Sequence, residues 1–468
     1  MIEAGFMIIP LVTSLIYNDE GGVFAFGITS ALTFLSGAAM AFLSRPRQGD
    51  MGKRESFLLT VGVWIIFSLF GMLPYMLSSH PISISNAFIE AMSGFTTTGL
   101  SSVESGVLSR GQMMWSCVMQ WIGGMGIILF TLAVLPMLNH SGGMQMFNAE
   151  TTGITHDKLR PRISETAKGL WLIYITLTVI LFSLLCAGPL DIYDALCITF
   201  STVSTGGGFA RASTLLADSD YLKIMVTIFM FLGGVNFHLM FKVAHGYFKA
   251  PGESEVFMDY VKVVGVSFLL FVPAIWFHSQ MKDISSITVD PLFQIVSALS
   301  STGFTAPNFK EWGPFTYTIV MFLMFMGASA GSTSGGAKID RIIYLCKTCY
   351  NEIVKTLRPN TILSVRLNGK IVPPELVNKV MVFLAIYVLI VAIGGLSLTA
   401  FGVDPEDAFF TSFMCVSNCG VDSETAGYGV AFATLPGPAK WIMAMIMLIG
   451  RLEIFTVLVL FTRSFWRR

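Results

Sequence analysis

The chain contains many uninterrupted apolar runs, each long enough to cross a lipid bilayer. Residues 57–77 (FLLTVGVWIIFSLFGMLPYML) and 169–188 (GLWLIYITLTVILFSLLCAG) are two of them. A helix needs about 20 apolar residues to span the hydrocarbon core. Only 12% of the residues are charged, whereas roughly a quarter are charged in a soluble domain. These runs therefore predict an all-α polytopic membrane protein.

We predict ten full or nearly full spans, of which the first is short. They cover residues 4–18, 22–44, 57–77, 111–138, 169–188, 221–243, 257–279, 315–336, 377–402 and 440–462. The N-terminus lacks the basic region and the small-residue cleavage site of a secretory signal peptide, so none is predicted.

Positively charged residues indicate the orientation of the spans. Most of the 29 Lys and Arg residues fall in alternate connections or in the C-terminal tail. These connections are 44–54, 138–169, 242–262 and 337–380. Because cytoplasmic connections are enriched in Lys and Arg, we expect them and both termini on the cytoplasmic side. The formal net charge of zero gives no support to a nucleic-acid partner.

The four connections that face the other side share a repeated pattern. Each begins with Asn or Asp and places a glycine thirteen residues later, after small polar residues. The segments are NAFIEAMSGFTTTGL from Asn86, DALCITFSTVSTGGG from Asp194, DPLFQIVSALSSTGF from Asp290 and DAFFTSFMCVSNCGV from Asp407. Their starts lie 108, 96 and 117 residues apart, and each interval holds two predicted spans. The pattern therefore predicts a fourfold internal repeat.

Each repeated segment predicts a short helix that enters the membrane without crossing it. Asn and Asp are preferred N-cap residues, and the apolar stretch that follows is too short to span the bilayer. The glycine then ends the helix. Non-helical backbone at membrane depth must be buried in protein or line water. Four such helix ends and carbonyl groups on one axis would attract a cation and replace its water shell.

The four glycine-containing stretches are therefore predicted to form a cation selectivity filter that binds K⁺. The candidate filter residues are Thr96, Thr97, Thr98, Gly99, Ser204, Thr205, Gly206, Gly207, Ser300, Ser301, Thr302, Gly303, Ser417, Asn418, Cys419 and Gly420. Glycine at all four matched positions would leave the axis clear of side chains, which favours K⁺ over the smaller Na⁺. The alternative is that the four stretches are outward loops with caps and turns.

These motifs resemble the Trk/Ktr/HKT superfamily of K⁺ transporters. Four membrane–pore–membrane repeats in one chain are typical of that superfamily. The sequence GRLEIFTVLVLF at 450–461 and the two helices before the first repeat are similar to its TrkH branch. The resemblance implies a homodimeric K⁺ uptake protein of the bacterial inner (plasma) membrane. It also implies a cytosolic TrkA-like ring that binds the regulatory nucleotide, so that this chain itself would bind no cofactor besides the transported K⁺.

The expected architecture is four membrane–pore–membrane repeats around a pseudo-fourfold axis, preceded by two extra helices. We assign residues 1–50 to the N-terminal extension. The four repeats are assigned to 51–145, 146–250, 251–365 and 366–468, and the third has a broken second helix.

That break is predicted from the glycine-rich run MGASAGSTSGGAKIDR at 326–341. Each glycine costs a helix about 1 kcal/mol relative to alanine, so we expect an unwound loop at 327–337. The resemblance implies that this loop gates the pore. The candidate gating residues are Gly327, Gly331, Gly335, Gly336, Lys338 and Arg451. The alternative is that Gly327, Gly331 and Gly335 form a small-residue packing face on a continuous helix.

Two charged residues within apolar segments call for partners. Arg451 lies in the last predicted span, and an intramembrane guanidinium usually faces a cavity or a partner. We expect it below the filter, where it would form an electrostatic barrier or pair with the loop. The alternative is a structural salt bridge to an acid. Glu90, in the first short helix, either accepts hydrogen bonds from backbone behind the filter or adds negative charge to the vestibule.

Other functions find little support. The chain has no H-E-x-x-H, no G-x-S-x-G, no Walker A and no strand-borne G-x-G-x-x-G motif, so an enzyme is not predicted. Residues 338–357 combine apolar positions at helical spacing with Lys and Arg, which fits an interfacial helix on membrane lipid or a docking surface for the ring. The sequence leaves open a channel, a Na⁺- or H⁺-coupled K⁺ symporter or a less selective monovalent cation channel.

Overall fold

The computed structural model describes residues 1–43, 52–103, 106–133, 163–209, 211–217, 219–278, 284–307, 309–361, 363–421 and 432–467. This part of the chain is predominantly helical and includes one short antiparallel hairpin, Arg366–Leu367 with Lys370–Ile371. Most of the basic connections at 44–54 and 138–169, and the end of the span predicted at 111–138, lie outside the described residues.

The α-helices follow one another through the whole described chain. Before the second repeat they are Ile2–Phe6, Ile8–Ile16, Glu20–Leu43, Lys53–Gly71, Leu73–Met76, Ile84–Phe95 and Arg110–Ala133. Next come Ile163–Cys186, Ile192–Val203, Ala212–Ala217, Asp220–Gly234, Phe237–Ala244, Ala250–Glu253, Glu255–His278, Ile284–Leu299, Pro314–Met326 and Ile339–Leu357. The last are Pro374–Ala400, Pro405–Ser417, Gly437–Arg451, Phe455–Leu458 and Arg463–Trp466. Short 3₁₀ turns occupy Phe309–Trp312, Phe432–Thr434 and Val459–Phe461.

Several of these helices are suited to cross a membrane. Five in the described chain pass by length and composition, and two bent helix pairs raise the number to seven. Their outer faces carry large exposed apolar side chains, such as Leu269 (71% exposed) and Phe277 (87% exposed). A helix that is apolar on all sides is stable only where lipid or protein surrounds it. The expected multi-pass membrane protein is therefore confirmed.

Several predicted spans are not continuous helices. The span at 221–243 bends by 103° between Asp220–Gly234 and Phe237–Ala244. Asn236 lies at the bend, and its side-chain oxygen accepts hydrogen bonds from the His238 and Leu239 amides as the N-cap of the second helix. The span at 440–462 bends by 113° after Arg451, where Glu453 and Ile454 take positive φ angles of 57° and 51°.

The first predicted span, 4–18, is likewise broken into Ile2–Phe6 and Ile8–Ile16, with Met7 between them. Another break follows Pro314–Met326, as the glycine-rich run predicts.

Four short buried helices occur in the repeated segments. We call them pore helices 1 to 4, and they are Ile84–Phe95, Ile192–Val203, Ile284–Leu299 and Pro405–Ser417. They contain 12, 12, 16 and 13 residues, too few to cross a bilayer. Every residue of pore helix 1 from Ala87 to Phe95 is buried. The pore helices are thus enclosed by the longer helices, and each leads into its glycine-containing stretch.

The predicted N-caps of the pore helices are wrong. Asn86, Asp194, Asp290 and Asp407 all lie inside the helices, which begin two to six residues earlier. Asp290, for example, lies in the second turn of pore helix 3.

Three of these side chains instead accept hydrogen bonds from basic residues. Lys440 Nζ donates to Asn86 at 2.7 Å, Arg211 Nη1 to Asp194 at 3.3 Å and Lys223 Nζ to Asp290 at 2.6 Å. A buried polar group costs free energy unless it is hydrogen-bonded. The periodic Asn or Asp therefore anchors the pore helix to its surroundings rather than capping it.

Candidate ion pathway

The stretches after the pore helices repeat one local backbone conformation. We call Thr96–Gly99, Ser204–Gly207, Ser300–Gly303 and Ser417–Gly420 filter segments 1 to 4. The second residue of each is left-handed. The four φ angles are 51° at Thr97, 54° at Thr205, 56° at Ser301 and 50° at Asn418. Non-glycine residues rarely adopt this conformation, so finding it at four matched positions identifies the segments as copies of one structure.

Backbone amides of the segments point back to their own pore helices. In each of segments 1, 2 and 3, the last two amides both donate to one carbonyl of the preceding helix, at 2.9 to 3.5 Å. The accepting residues are Ser93, Ser201 and Ser297. In segment 4 the Cys419 amide donates to the matched Met414 carbonyl at 3.1 Å. This tether ends each helix and turns the chain away from it.

One carbonyl oxygen of each segment is left without a partner in the described chain. No hydrogen bond within the described residues is made to the third carbonyl of any segment. These carbonyls belong to Thr98, Gly206, Thr302 and Cys419. Buried carbonyl groups are nearly always hydrogen-bonded. Four matched exceptions therefore indicate that these oxygens are directed at a cation or at a donor outside the chain.

The segment glycines bring the four stretches together in a closed ring. A Cβ atom added to Gly99 would overlap the Gly206 carbonyl oxygen of segment 2, and one on Gly207 would overlap the Thr302 oxygen of segment 3. A Cβ on Gly303 would meet the Gly420 oxygen of segment 4, and one on Gly420 would meet the Thr98 oxygen of segment 1. Glycine is thus required because adjacent backbones touch, which is a stronger constraint than a clear axis.

Side chains of the segments are packed away in the protein. Thr96, Ser204 and Ser417 each donate their hydroxyl to the carbonyl four residues earlier, at 2.7 to 2.9 Å. Asn418 Nδ2 donates to Thr98 Oγ1 at 3.0 Å and so connects segments 4 and 1. These hydrogen bonds fix the segments to their pore helices and to each other, and so make the ring more rigid.

The predicted interruption of the third repeat is present. Pro314–Met326 ends at Gly327, and no helix resumes before Ile339. We call residues 327–338 the intramembrane loop. Gly327, Gly331 and Gly336 have φ angles of 63°, 74° and 76°, which L-residues tolerate poorly. The alternative of a small-residue packing face on a continuous helix is therefore wrong.

The intramembrane loop lies against the starts of three filter segments. Thr205 Oγ1 of segment 2 donates to Thr333 Oγ1 at 3.3 Å, and Ser301 Oγ of segment 3 is hydrogen-bonded to Ser334 Oγ at 3.2 Å. The Gly336 amide donates to the Ser417 carbonyl of segment 4 at 2.8 Å. A peptide that touches three of four segments sits across their common axis.

Arg451 joins this loop to the first repeat. Its Nη1 donates to the Thr333 carbonyl at 2.9 Å and its Nη2 to the Gly123 carbonyl at 3.1 Å. Gly123 packs directly on the carbonyl of Phe95, the last residue of pore helix 1. Arg451 is 3% exposed, and no carboxylate of the described residues forms an ion pair with it. The geometry matches the expected contact with the loop and not the alternative salt bridge.

A second buried charge group fixes the far end of the loop. Lys338 Nζ donates to the Ser334 carbonyl, and Asp340 accepts from the Ala330 amide at 2.6 Å. Arg341 pairs with Glu453 at 2.5 Å and stacks on the Phe383 ring with its guanidinium carbon 4.0 Å from the ring centre. Lys338 therefore belongs to the loop's own support, while Arg341 ties the loop to the bend after Arg451.

Glu90 lies behind segment 1. It is 2% exposed, and one carboxylate oxygen accepts from the Ser102 amide at 2.5 Å and from Ser101 Oγ at 2.7 Å. Of the two expected roles, hydrogen bonding to backbone agrees with this position, and a charge open to the vestibule does not.

Sequence reasoning missed Asn236, Arg341 and Glu453. Asn236 donates to the Ala330 carbonyl at 2.7 Å and thereby holds the loop. The Gly-Gly pair at 233–234 was a signal, since two glycines before an Asn mark a helix break with a new N-cap. Glu453 within an apolar run was another, because a charge at membrane depth needs a partner.

Comparison with known proteins assigns the family. Residues 22–249 and 254–468 match the TrkH family, described as cation transport protein. The Trk system potassium uptake protein TrkH of Escherichia coli K12 is 36% identical over all of this chain and 97% of its own length. The TrkH of Vibrio parahaemolyticus is 33% identical over 98% of this chain and 96% of its own.

The fold agrees with a solved structure of the same kind. The crystal structure of the potassium transporter TrkH from Vibrio parahaemolyticus superposes with a TM-score of 0.89 at 30% sequence identity. The match covers 99% of this chain and 96% of that one. With most of the chain matched in both sequence and structure, the protein belongs to the TrkH family of cation transport proteins, which are multi-pass membrane transporters and not enzymes.

Proposed function

We propose that this chain takes up K⁺ across the bacterial inner membrane through a pore lined by the carbonyl groups of filter segments 1 to 4. The observation that carries the proposal is the closed ring of segments with four matched, unpartnered carbonyl oxygens. Rings of backbone carbonyls replace the hydration shell of K⁺. The relatives named potassium uptake proteins support the choice of ion.

In this proposal all sixteen filter residues of the four segments form the K⁺ site, and the four repeats surround it. The amide tethers to the pore helices hold the segments from one side, so that the carbonyl oxygens remain directed away from the helices. Negative helix ends stabilise the cation further, since each pore helix finishes at its own segment.

The test is ⁸⁶Rb⁺ uptake into liposomes that contain the purified full chain and internal K⁺, with K⁺, Na⁺ or Li⁺ competing outside. We expect K⁺ to block uptake at a concentration at least about tenfold below that of Na⁺. Equal competition by K⁺ and Na⁺ would contradict a K⁺ filter and favour a less selective monovalent cation channel.

We further propose that the intramembrane loop is the gate and that Arg451 holds it shut. Gly327, Gly331, Gly335 and Gly336 give the loop its shape, and Lys338 closes it on Ser334. Loop contacts with three segments support this assignment. A cytosolic TrkA-like ring that binds the nucleotide would withdraw the loop, and a homodimer of this chain would present two pores to that ring.

Arg451→Ala tests the gate. Losing two charge-assisted hydrogen bonds, each worth about 1.5–3 kcal/mol, is expected to raise basal ⁸⁶Rb⁺ flux at least about tenfold. Arg463→Ala is the matched control, because Arg463 is exposed on the last helix. Unchanged flux in Arg451→Ala, with normal folding, would contradict the gating role and leave the filter untouched.

A coupled symporter is the second candidate for the transport mode. Current recorded across a bilayer that contains the Arg451→Ala variant distinguishes a channel from a symporter. A current that persists with K⁺ alone, without Na⁺ or a proton gradient, is expected for a channel. Current that requires one of those gradients would support the symporter.

A further inference from the structure

The first and third filter segments are each followed by a backbone amide that is bound by the side chain of a pore helix. Glu90 accepts from the Ser102 amide at 2.5 Å, and Gln294 accepts from the Ala306 amide at 2.8 Å. Both accepting residues stand four positions after the Asn or Asp of their repeats, and both amides lie three positions after the segment glycine. The two contacts are therefore the same interaction made twice.

The second repeat lacks this interaction. Its matched residue is Ile198, which is buried and has no polar side-chain atom. In the order of the ring, segments 1 and 3 are opposite each other. The interaction is thus made by two segments that face each other across the ring.

A small polar cavity adjoins Glu90. It has a volume of about 20 Å³, and its wall includes Glu90, Ser93, Gln120 and Gly99. Ser93 Oγ and Gln120 Oε1 are buried and have no hydrogen-bond partner within the described chain. A site of this size with several polar groups is large enough for one water molecule, and a water there would satisfy both orphaned atoms.

We propose that Glu90 and Gln294 are positioning residues of the K⁺ filter, and that a water molecule beside Glu90 joins it to Ser93 and Gln120. The inference rests on the filter proposed above. Each segment is held upstream by its amide tether to the pore helix. Glu90 and Gln294 hold the downstream end of segments 1 and 3, so the carbonyl oxygens between the two anchors keep the spacing that suits K⁺.

Removing a positioning residue leaves a buried amide unpaired and frees one end of the segment. The segment carbonyls then adjust to a smaller ion at little cost, because cavity size and the rigidity of the coordinating oxygens both set the preference for K⁺ over Na⁺. Gln in place of Glu90 preserves the acceptor oxygen, as the natural Gln294 does.

Ion-dependent thermal unfolding of the detergent-solubilised full chain measures this without opening the gate. A ligand that binds only the native state raises Tm by an amount that grows with the logarithm of one plus its concentration divided by Kd. Titrating KCl and NaCl at constant ionic strength with choline chloride gives a K⁺-over-Na⁺ ratio of apparent affinities. Glu90→Leu and Gln294→Leu are each expected to lower that ratio about tenfold, the size expected from one unpaired buried amide.

Three further variants complete the experiment. Glu90→Gln is expected to stay within about twofold of the wild-type ratio, and Ile198→Leu, at the matched position of repeat 2, to leave it unchanged. Gln120→Met, which removes one partner of the water, is expected to lower the ratio about threefold. Should a leucine variant fail to fold, Glu90→Met or Gln294→Met takes its place, since Met is close to Glu and Gln in length and has no oxygen acceptor.

The outcomes separate this inference from the proposed function. A wild-type chain with no K⁺ preference would overturn the filter itself. A wild-type preference that survives in both leucine variants, or in their methionine replacements, would overturn the positioning role alone. An unchanged ratio in Gln120→Met would overturn the water bridge, and a tenfold loss in Ile198→Leu would show that any pore-helix substitution disturbs the ratio and would overturn the assignment to Glu90 and Gln294.

Discussion

At the scale of single residues, the proposed filter depends on where glycine is placed and not only on how many glycines there are. Gly99, Gly207 and Gly303 are left-handed, with φ angles of 76°, 64° and 86°, whereas Gly420 is not. All four nevertheless touch the backbone of the next segment. All four positions therefore require glycine because the neighbouring backbone is too close for a Cβ atom. At three of them the left-handed backbone also favours glycine.

Gly207→Ala is expected to abolish K⁺ selectivity. The new Cβ would overlap the Thr302 carbonyl oxygen, and a left-handed L-residue costs about 1–2 kcal/mol. The measurement is the K⁺-over-Na⁺ ratio in ⁸⁶Rb⁺ competition, for which we expect a value near one. Gly265→Ala is the control, because nothing lies within 4 Å of its Cβ position. A selective Gly207→Ala protein would mean that the segments are not in contact.

At the scale of elements, a buried ion pair joins pore helix 3 to the helix Asp220–Gly234. The side chains of Lys223 and Asp290 are 5% and 7% exposed, and their charged atoms are 2.6 Å apart. Removing one partner of a buried pair leaves an unpaired charge and usually costs more than the pair itself contributes. We therefore expect the ion pair to fix the position of pore helix 3 against the helix Asp220–Gly234.

Lys223→Met is expected to destabilise the protein by about 3–5 kcal/mol. Chemical unfolding in detergent measures the loss. The double variant Lys223→Met/Asp290→Leu is expected to recover most of it, since both charges are then absent. The exposed pair of Lys262 and Asp259 provides the control, and Lys262→Met is expected to leave stability unchanged. Equal losses in the single and double variants would contradict a role for the charge.

The Asn236 side chain caps one helix and also binds the intramembrane loop, and substitutions can separate these two roles. Asn236→Asp keeps the acceptor oxygen that caps Phe237–Ala244 but loses the donor to the Ala330 carbonyl. Asn236→Ala loses both the acceptor and the donor, and the loss of the cap alone costs about 1 kcal/mol of stability. We expect both variants to raise basal ⁸⁶Rb⁺ flux and only the alanine variant to lose stability. Normal flux in Asn236→Asp would show that this bond does not hold the loop.

At the scale of the whole molecule, charge distribution and helix order imply one orientation. The helix Ile339–Leu357 continues directly from the intramembrane loop and carries exposed Tyr350, Ile353 and Leu357 beside its Lys residues. An amphipathic basic helix suits a membrane surface or a docking protein. In the predicted orientation, this helix connects the cytoplasmic side to the intramembrane loop with no intervening element.

Two native cysteines can test that orientation. Cys346 and Cys349 are free and exposed on this helix, whereas Cys117, Cys197, Cys415 and Cys419 are buried. A membrane-impermeant maleimide is expected to label inside-out vesicles and to leave right-side-out vesicles unlabelled. The double variant Cys346→Ser/Cys349→Ser is the control and should lose the label. Labelling from the outer side would reverse the predicted topology.

Much of this architecture follows from local pattern. Apolar length predicts the membrane class, and the thirteen-residue spacing from Asn86 to Gly99, seen four times, predicts the short helices and their glycine stretches. The break at 327–338 follows from glycine content alone. The N-cap assignment failed because propensity favours Asn and Asp at helix starts, while tertiary partners such as Lys440 place Asn86 inside the helix instead.

Local sequence patterns are enough to predict the membrane class, the repeated segments, the candidate filter residues and the interrupted helix, because each depends on residues close together in the chain. Tertiary structure alone decided which segment touches which, why the glycines are needed, and which groups Arg451, Glu90 and Gln294 contact. Those contacts join residues that are far apart in sequence, such as Arg451 with Gly123. No periodicity within one chain specifies such pairs, because they form only when the helices pack.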